Sequence, residues 1–389
     1  MRAFAKQYDA VFGAAWPVWP AAILVAVTNV FLFAFDRPFT AADGMRHWGD
    51  WMLRGVGVGA SRASELLPPW LYAGSLLNFG VIAGALVASL LSREFALRVP
   101  ARGELLKGVI GGALLGVGAM LALGCNIGGF VSATSALSLS GLAMMLGLLV
   151  GAILGLTYLV WEVEHRPGWS SGRARVFAAA RPEGRSRQAF VGLAVLVALL
   201  ALPWLYARAG FSSRGLFLLF GAAFGIIFQR SRFCLVRAFR EPFMTGAADH
   251  TRAAALSIVV SMLGFAVLKF ADLKDKGDWV FPSAGAGALV GGLLFGIGMV
   301  LAGGCGVGSI WRAGEGQVKL WIALLAFALA ASATRLALAS TGLQSRLGSA
   351  VFLPTPLGWA GAIGLVIAVM AAWAIFATWN EESGRFTRA

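Results

Sequence analysis

Ten long apolar runs thread this chain, at 16–35 and centred on 70–91, 108–124, 141–161, 189–207, 214–229, 253–271, 286–304, 318–339 and 357–379. Each is close to the ~20 residues that carry a helix across bilayer hydrocarbon. In hydrocarbon every backbone N–H and C=O must be satisfied within the protein, which leaves only helices and closed barrels. The ten-residue blocks of alternating polarity that mark a barrel are absent, so the runs read as helices. Hydrophobic residues make up 59% of the 389 positions and charged residues 13%, against about 25% charged in a soluble domain. Mean hydropathy is +0.78. The 51 glycines suit helices that pack through small residues. The expected class is all-α, a polytopic membrane protein. The run at 16–35 is too long for a signal peptide and lacks a clear cleavage site, so it reads as a retained anchor.

The net charge of +14 does not point to nucleic acid, because the arginines cluster in short loops between spans. Residues 92–107, 162–188 and 230–252 are basic, the 126–140 connection carries no charge, and 272–280 is net acidic. With both termini and the basic loops in the cytoplasm, this distribution obeys the positive-inside rule. Residues 41–67 mix Arg46, Trp48, Asp50, Trp51 and Arg54 with apolar positions and read as an interfacial helix or external loop. Three cysteines cannot form a disulfide framework. With His47, His165 and His250 they make a metal cage improbable, so no metal or cofactor is expected.

An internal repeat narrows the architecture further. Residues 108–130 read GVIGGALLGVGAMLALGCNIGGF and residues 288–310 read ALVGGLLFGIGMVLAGGCGVGSI; ten of the 23 positions are identical in register, including the closing Gly-Cys. On the loop assignment one copy runs outward and the other inward. Antiparallel copies of this kind build many transporters, with the site near the midplane where they meet.

The cysteines all fall at helix breaks. Gly124-Cys125-Asn126 and Gly304-Cys305-Gly306 interrupt apolar runs with residues that permit left-handed and turn conformations. Such breaks at membrane depth must face protein or a cavity. The bland alternative is that the glycines serve packing and cysteine is a small hydrophobe. Cys234, in Phe228-Gln229-Arg230-Ser231-Arg232-Phe233-Cys234, sits either in a re-entrant turn or in a loop whose arginines only set topology. A thiol is a weak donor and a soft, polarizable group, better matched to an anion with terminal sulfur or selenium than to sulfate. Weak serial contacts also suit conduction, and neutral thiols would avoid repelling an anion. Arg230, Arg232, Arg237 and Arg312 would lie near the cytoplasmic mouth, where they could attract it. Arg312 and Glu315, three apart, could instead simply pair, and Arg335 either snorkels or lines the path.

At these motifs the sequence resembles the YeeE/YedE family of sulfur-transport membrane proteins, more closely its YedE branch. The resemblance rests on Ala122-Leu123-Gly124-Cys125-Asn126, Arg232-Phe233-Cys234 with Ala238-Phe239-Arg240 and Thr245-Gly246, Gly291 to Gly296, Leu301 to Cys305, and Glu315-Gly316-Gln317-Val318, and spans roughly 70–379. It implies an inverted-repeat transporter passing thiosulfate by weak S–H contacts, with a link to selenium metabolism in that branch. Carried onto this chain, the pathway residues are Cys125, Cys234 and Cys305 with Gly124, Asn126, Gly304 and Gly306. One departure stands out: Ser92-Arg93-Glu94-Phe95-Ala96, roughly where a first-copy counterpart of the Arg-Phe-Cys turn would fall, holds no cysteine.

The expectation is therefore a multi-pass inner-membrane transporter that takes up an inorganic sulfur-containing anion or a selenium analogue. It would not be an enzyme. Its parts would be an N-terminal anchor and external segment (1–69), a first repeat (70–161), a basic cytoplasmic linker (162–188), an inverted second repeat (189–340) and a C-terminal helix with tail (341–389). Its partners would be the anion, membrane lipid and a cytosolic sulfur-accepting protein. The chain lacks G-x-x-x-x-G-K-[ST], so a gradient, the membrane potential or a metabolic sink must drive transport. The rivals are a membrane thiol or persulfide oxidoreductase and a non-transporting membrane subunit.

Overall fold

A computed structural model describes residues 8–58, 66–170, 174–177 and 185–387. Among them, ten helical stretches are long and apolar enough to cross a membrane, and they fall on the ten apolar runs. The main helices are α1 (Val18–Phe35), α2 (Ala42–Gly55), α3 (Ala73–Leu91), α4 (Arg102–Leu121), α5 (Leu139–His165), α6 (Arg185–Arg208), α7 (Ser212–Ser231), α8 (Leu235–Met244), α9 (Asp249–Phe270), α10 (Ala286–Ala302), α11 (Gly306–Gly314), α12 (Val318–Thr341) and α13 (Pro354–Ser383). Two of the ten stretches are interrupted: α7 breaks before α8, and α10 before α11. After α4 the chain likewise breaks and resumes as a π-helix, Asn126–Ser132.

Glycine sets how closely the helices approach. A Cβ at Gly80, Gly84, Gly221 or Gly225 would overlap backbone across the α3–α7 contact, and one at Gly147, Gly151 or Gly292 would do so between α5 and α10. Gly112 and Gly116 hold α4 against Ala323 and Phe327 of α12. These three pairs run parallel. Between α4 and α10, the helices that carry the internal repeat, the register reverses: Gly111 meets Gly298 and Ala302, whereas Gly118 meets Gly291 and Phe295. Those two helices pack antiparallel. Because side chains are so small at these seams, the contact is largely backbone on backbone, as in lipid-embedded bundles. By contrast, α6 and α13 bury little of their surface.

One end of the bundle gathers the basic loops. There Lys107 pairs with Glu162 of α5 at 2.9 Å and with Glu104, while Lys319 of α12 reaches Glu104 at 2.6 Å. The same end carries two three-residue strands, β1 (Leu97–Val99) and β2 (Arg175–Phe177), which pair antiparallel. This small ribbon is an addition to the all-helical expectation and ties the 92–107 loop to the expected basic linker, of which 171–173 and 178–184 fall outside the described residues. At the opposite end, the segment expected as an interfacial helix or external loop forms α2, tucked in so that Gly49 meets Ala328 of α12; residues 59–65 are outside the described residues. Asp43 pairs there with Arg37 at 2.7 Å and accepts from the Tyr72 hydroxyl at 2.5 Å.

Candidate functional site: a buried line of three thiols and a hydroxyl

Each cysteine occupies the same local position. Cys125, Cys234 and Cys305 have extended backbone and directly precede the helix that follows a break. Two residues earlier, each break turns through a left-handed residue: Leu123 (φ 61), Arg232 (φ 56) and Gly303 (φ 77). The glycines and Asn126 were expected to supply that conformation; in two of three cases a residue with a Cβ does so. Left-handed backbone costs an L-residue about 1–2 kcal/mol, so the surrounding packing holds these turns in place.

The breaks bring the sulfurs together. Cys125, Cys234 and Cys305 are 0%, 2% and 0% exposed. The Cys234 and Cys305 sulfurs both border Gly308, whose N–H donates to Cys305 Sγ at 3.3 Å. A methyl placed on Gly306 would sit 3.5 Å from the Cys125 sulfur, and one on Gly308 would sit 3.0 Å from Cys305 Sγ and 3.7 Å from Cys234 Sγ. The segments carrying Cys125 and Cys305 are thus in contact. Asn126 is fully buried facing Cys305, and neither of its amide atoms has a hydrogen-bond partner at standard geometry.

A fourth member went unrecognised in the sequence. Thr40 is 4% exposed and its Oγ1 lies 3.9 Å from Cys125 Sγ. It follows the end of α1, in Asp36-Arg37-Pro38-Phe39-Thr40, which reads from sequence only as a span terminator. The first-half segment beside Cys125 is therefore Phe39-Thr40, not Ser92–Ala96. The latter turn instead supplies Glu94, which meets Arg232 across the basic end at 2.8 Å.

The remaining expected residues divide. Gly306 faces Cys125, but Gly124 packs on Gly129 and Gly304 on Ser309, so these two glycines let each break fold back on its own following helix. Arg230 is 1% exposed, 3.6 Å from Glu94, and donates to the Ala14 carbonyl. Arg232 is clamped between Glu94 and Glu315, the latter at 2.5 Å. The expected Arg312–Glu315 pair does not form: α11 ends at Gly314, which takes Glu315 out of helical phase with Arg312. Arg312 donates to the Gly303 carbonyl at 2.7 Å and, like Arg232, rests against the Trp311 ring. Arg335 is exposed on α12. A cavity of about 600 Å³, lined by Lys107, Arg240 and Lys319, by Glu104 and Glu164, and by Gly303 with apolar residues of α5 and α10, opens below the Cys305 break. Among the described residues no cluster of His, Cys, Asp and Glu is arranged to hold a metal.

The family model described as sulphur transport matches residues 3–154 and 230–388. The chain is 30% identical to the probable transporter YedE of Escherichia coli (strain K12) over 318 residues, covering 79% of this chain and 77% of that one. The YedE protein of Salmonella typhimurium matches equally well, at 30% over 319 residues, 79% of this chain and 77% of its own. A shorter stretch, 118 residues at 38% identity, matches the thiosulfate transporter TsuA of Escherichia coli, covering 30% of this chain and 33% of that one. These relatives are transporters rather than enzymes. On the extent of the family match and of the YedE alignment, the chain belongs to the sulphur-transport family of multi-span membrane transporters.

Proposed function

We propose that this protein takes up an inorganic anion with a terminal sulfur, thiosulfate-like or its selenium analogue, along a path formed by Cys125, Cys305 and Cys234. The carrying observation is the convergence of three buried sulfurs on the ends of broken helices, where freed backbone donors and Asn126 stand beside them. The helix N-termini that follow the breaks would draw any anion, so the choice among anions falls to the sulfurs: a soft terminal chalcogen is satisfied by several weak S–H contacts and can leave each as readily as it arrives. The name of the TsuA relative supports thiosulfate as the first substrate to try.

The antiparallel seam of α4 and α10 supports the inverted-repeat reading, with repeats at 70–161 and 189–340 joined by the basic linker. The positive-inside rule orients the basic end, with both termini, toward the cytoplasm of a bacterial inner membrane. Inward movement of an anion opposes an inside-negative potential by ~2.3 kcal/mol per charge per 100 mV. Uncoupled uptake therefore needs a sink, and a cytosolic sulfur-accepting protein at the cavity beneath Gly303 would provide one.

The test is uptake of labelled thiosulfate, sulfite, sulfate and selenite by proteoliposomes, with each cysteine changed to Ala. Thiosulfate is expected to lead sulfate, and each Cys→Ala variant to slow it. Equal uptake by all variants removes the thiols from the mechanism. A preference for sulfate overturns the soft-anion argument. Nearness of Cys234 and Cys305 also permits the redox reading, which requires that oxidative trapping of this pair be an intermediate of turnover rather than a block.

A further inference from the structure

The thiol line ends in a hydroxyl, and the surroundings of that hydroxyl are built. Thr40 stands in the same relation to Cys125 as Cys234 does to Cys305. Both follow a phenylalanine, Phe39 or Phe233, at the break after a long helix, and both lie beside the cysteine of the neighbouring break. The glycines opposite correspond as well. A Cβ on Gly128 would land on the Thr40 side chain, just as one on Gly308 would press on the two sulfurs. The backbone next to Thr40 is pinned: the Phe39 N–H donates to Asn29 Oδ1 at 2.8 Å, and Ser132 Oγ donates to the Phe39 carbonyl at 3.0 Å. Among the described residues, the Cys125 sulfur is the one side-chain partner of the Thr40 hydroxyl.

We infer that Thr40 is the fourth contact of the pathway and the residue that sets which face of the substrate leads. The inference rests on the thiol-path reading above. A hydroxyl donates a shorter, stronger hydrogen bond to an oxyanion than a thiol does. A line with one hard donor at the α1 end and three soft groups beyond fits an anion that is itself two-faced, with hard oxygens on one side and a soft chalcogen on the other. Such an anion engages Thr40 through oxygen while its sulfur lies against Cys125. A symmetrical oxyanion gains the first contact and loses the second. A purely soft anion loses the first.

The experiment compares Thr40→Val, Thr40→Ser and Thr40→Cys with Cys125→Ala in proteoliposomes, measuring initial thiosulfate uptake and its inhibition by excess sulfate. Thr40→Val keeps the shape without the donor and is expected to slow uptake roughly tenfold or more, the weight of a hydrogen bond to a charged group. Thr40→Ser is expected to restore it. Thr40→Cys is expected to retain transport while making it less sensitive to sulfate. Monodispersity in detergent separates a folding defect from a transport defect. If Thr40→Val does not fold, the sulfate sensitivity of Thr40→Cys decides, and an unchanged value overturns the inference. Wild-type uptake by Thr40→Val beside a slow Cys125→Ala sinks the role of Thr40 alone; wild-type uptake by both sinks the pathway itself.

Discussion

Gly306→Ala tests the proposed route where the Cys125 and Cys305 segments meet. The new methyl would lie 3.1 Å from Cys125 Cβ, 3.5 Å from its sulfur and 3.7 Å from Ala41 Cβ. Carbon atoms rest at about 3.5–4.0 Å, so Cys125 must yield by roughly half an ångström. Overpacking of this kind costs about 1–3 kcal/mol. Exchanging glycine for alanine within a helix returns roughly 0.5–1 kcal/mol, and Gly306 opens α11 without a positive φ. The net loss of stability is then between about zero and 2.5 kcal/mol, a modest drop in melting temperature. Transport should suffer far more, because the methyl occupies the gap between the Cys125 and Cys305 segments. An added barrier of ~1.4 kcal/mol already slows passage about tenfold. The assay is initial thiosulfate uptake beside thermal melting in detergent, with Gly364→Ala as the control, since a Cβ there meets nothing within 4 Å. Wild-type uptake by Gly306→Ala would show that the substrate does not pass between these segments.

Other outcomes follow from the two ends of the bundle. Lys107→Met withdraws the ammonium from Glu162, which is 1% exposed. It should cost about 3–5 kcal/mol of stability, most of it recovered when Glu162→Leu is added; melting temperatures check both, and a neutral single variant contradicts the assignment. At the opposite end, burial works against ionising Asp43, but Arg37, the Tyr72 hydroxyl and Arg46 outweigh it and hold the carboxyl below its ordinary 3.8. A depressed carboxylate stabilises the fold above its unfolded value and loses that contribution as the pH falls through the folded one. Asp43→Asn should therefore melt lower than wild type near neutrality, with the difference closing below pH 3.8. Gly112→Leu should abolish monodisperse protein, because any Cβ there strikes the backbone of Ala323; gel filtration reads this directly.

The spans, the breaks and the three cysteines were legible because each leaves a local mark: a run of apolar residues, or Gly-Cys inside one. What was not legible depends on contacts distant in sequence. Thr40 carries no local signal, since Pro38 and Asp36 make its segment look like an ordinary helix end, and only the fold brings it to Cys125, 85 positions away. The left-handed turns were misplaced because propensity points to Gly124 and Asn126, whereas packing forces Leu123 and Arg232 into that conformation. Spacing suggested an Arg312–Glu315 pair on the assumption that the helix continues. It ends at Gly314, and Glu315 finds Arg232 from another break.

Those pairings change where selectivity must come from. Arginines at the basic end could have drawn the anion by charge, yet Arg230 and Arg232 are matched by Glu94 and Glu315, so these four side chains sum to zero. Among the described residues Arg312 has no carboxylate partner, and its donor is directed at the Gly303 carbonyl beside the Cys305 break. Arg230 and Arg232 therefore add little net field of their own, and what charge remains near the breaks is Arg312 together with Arg237 and Arg240, which share the one carboxylate of Glu241. A path built this way discriminates by short-range contact rather than by field. Its preference for thiosulfate over sulfate should accordingly change little between low and physiological salt, even where screening slows uptake of both; a preference that falls steeply with salt would return the leading role to the arginines.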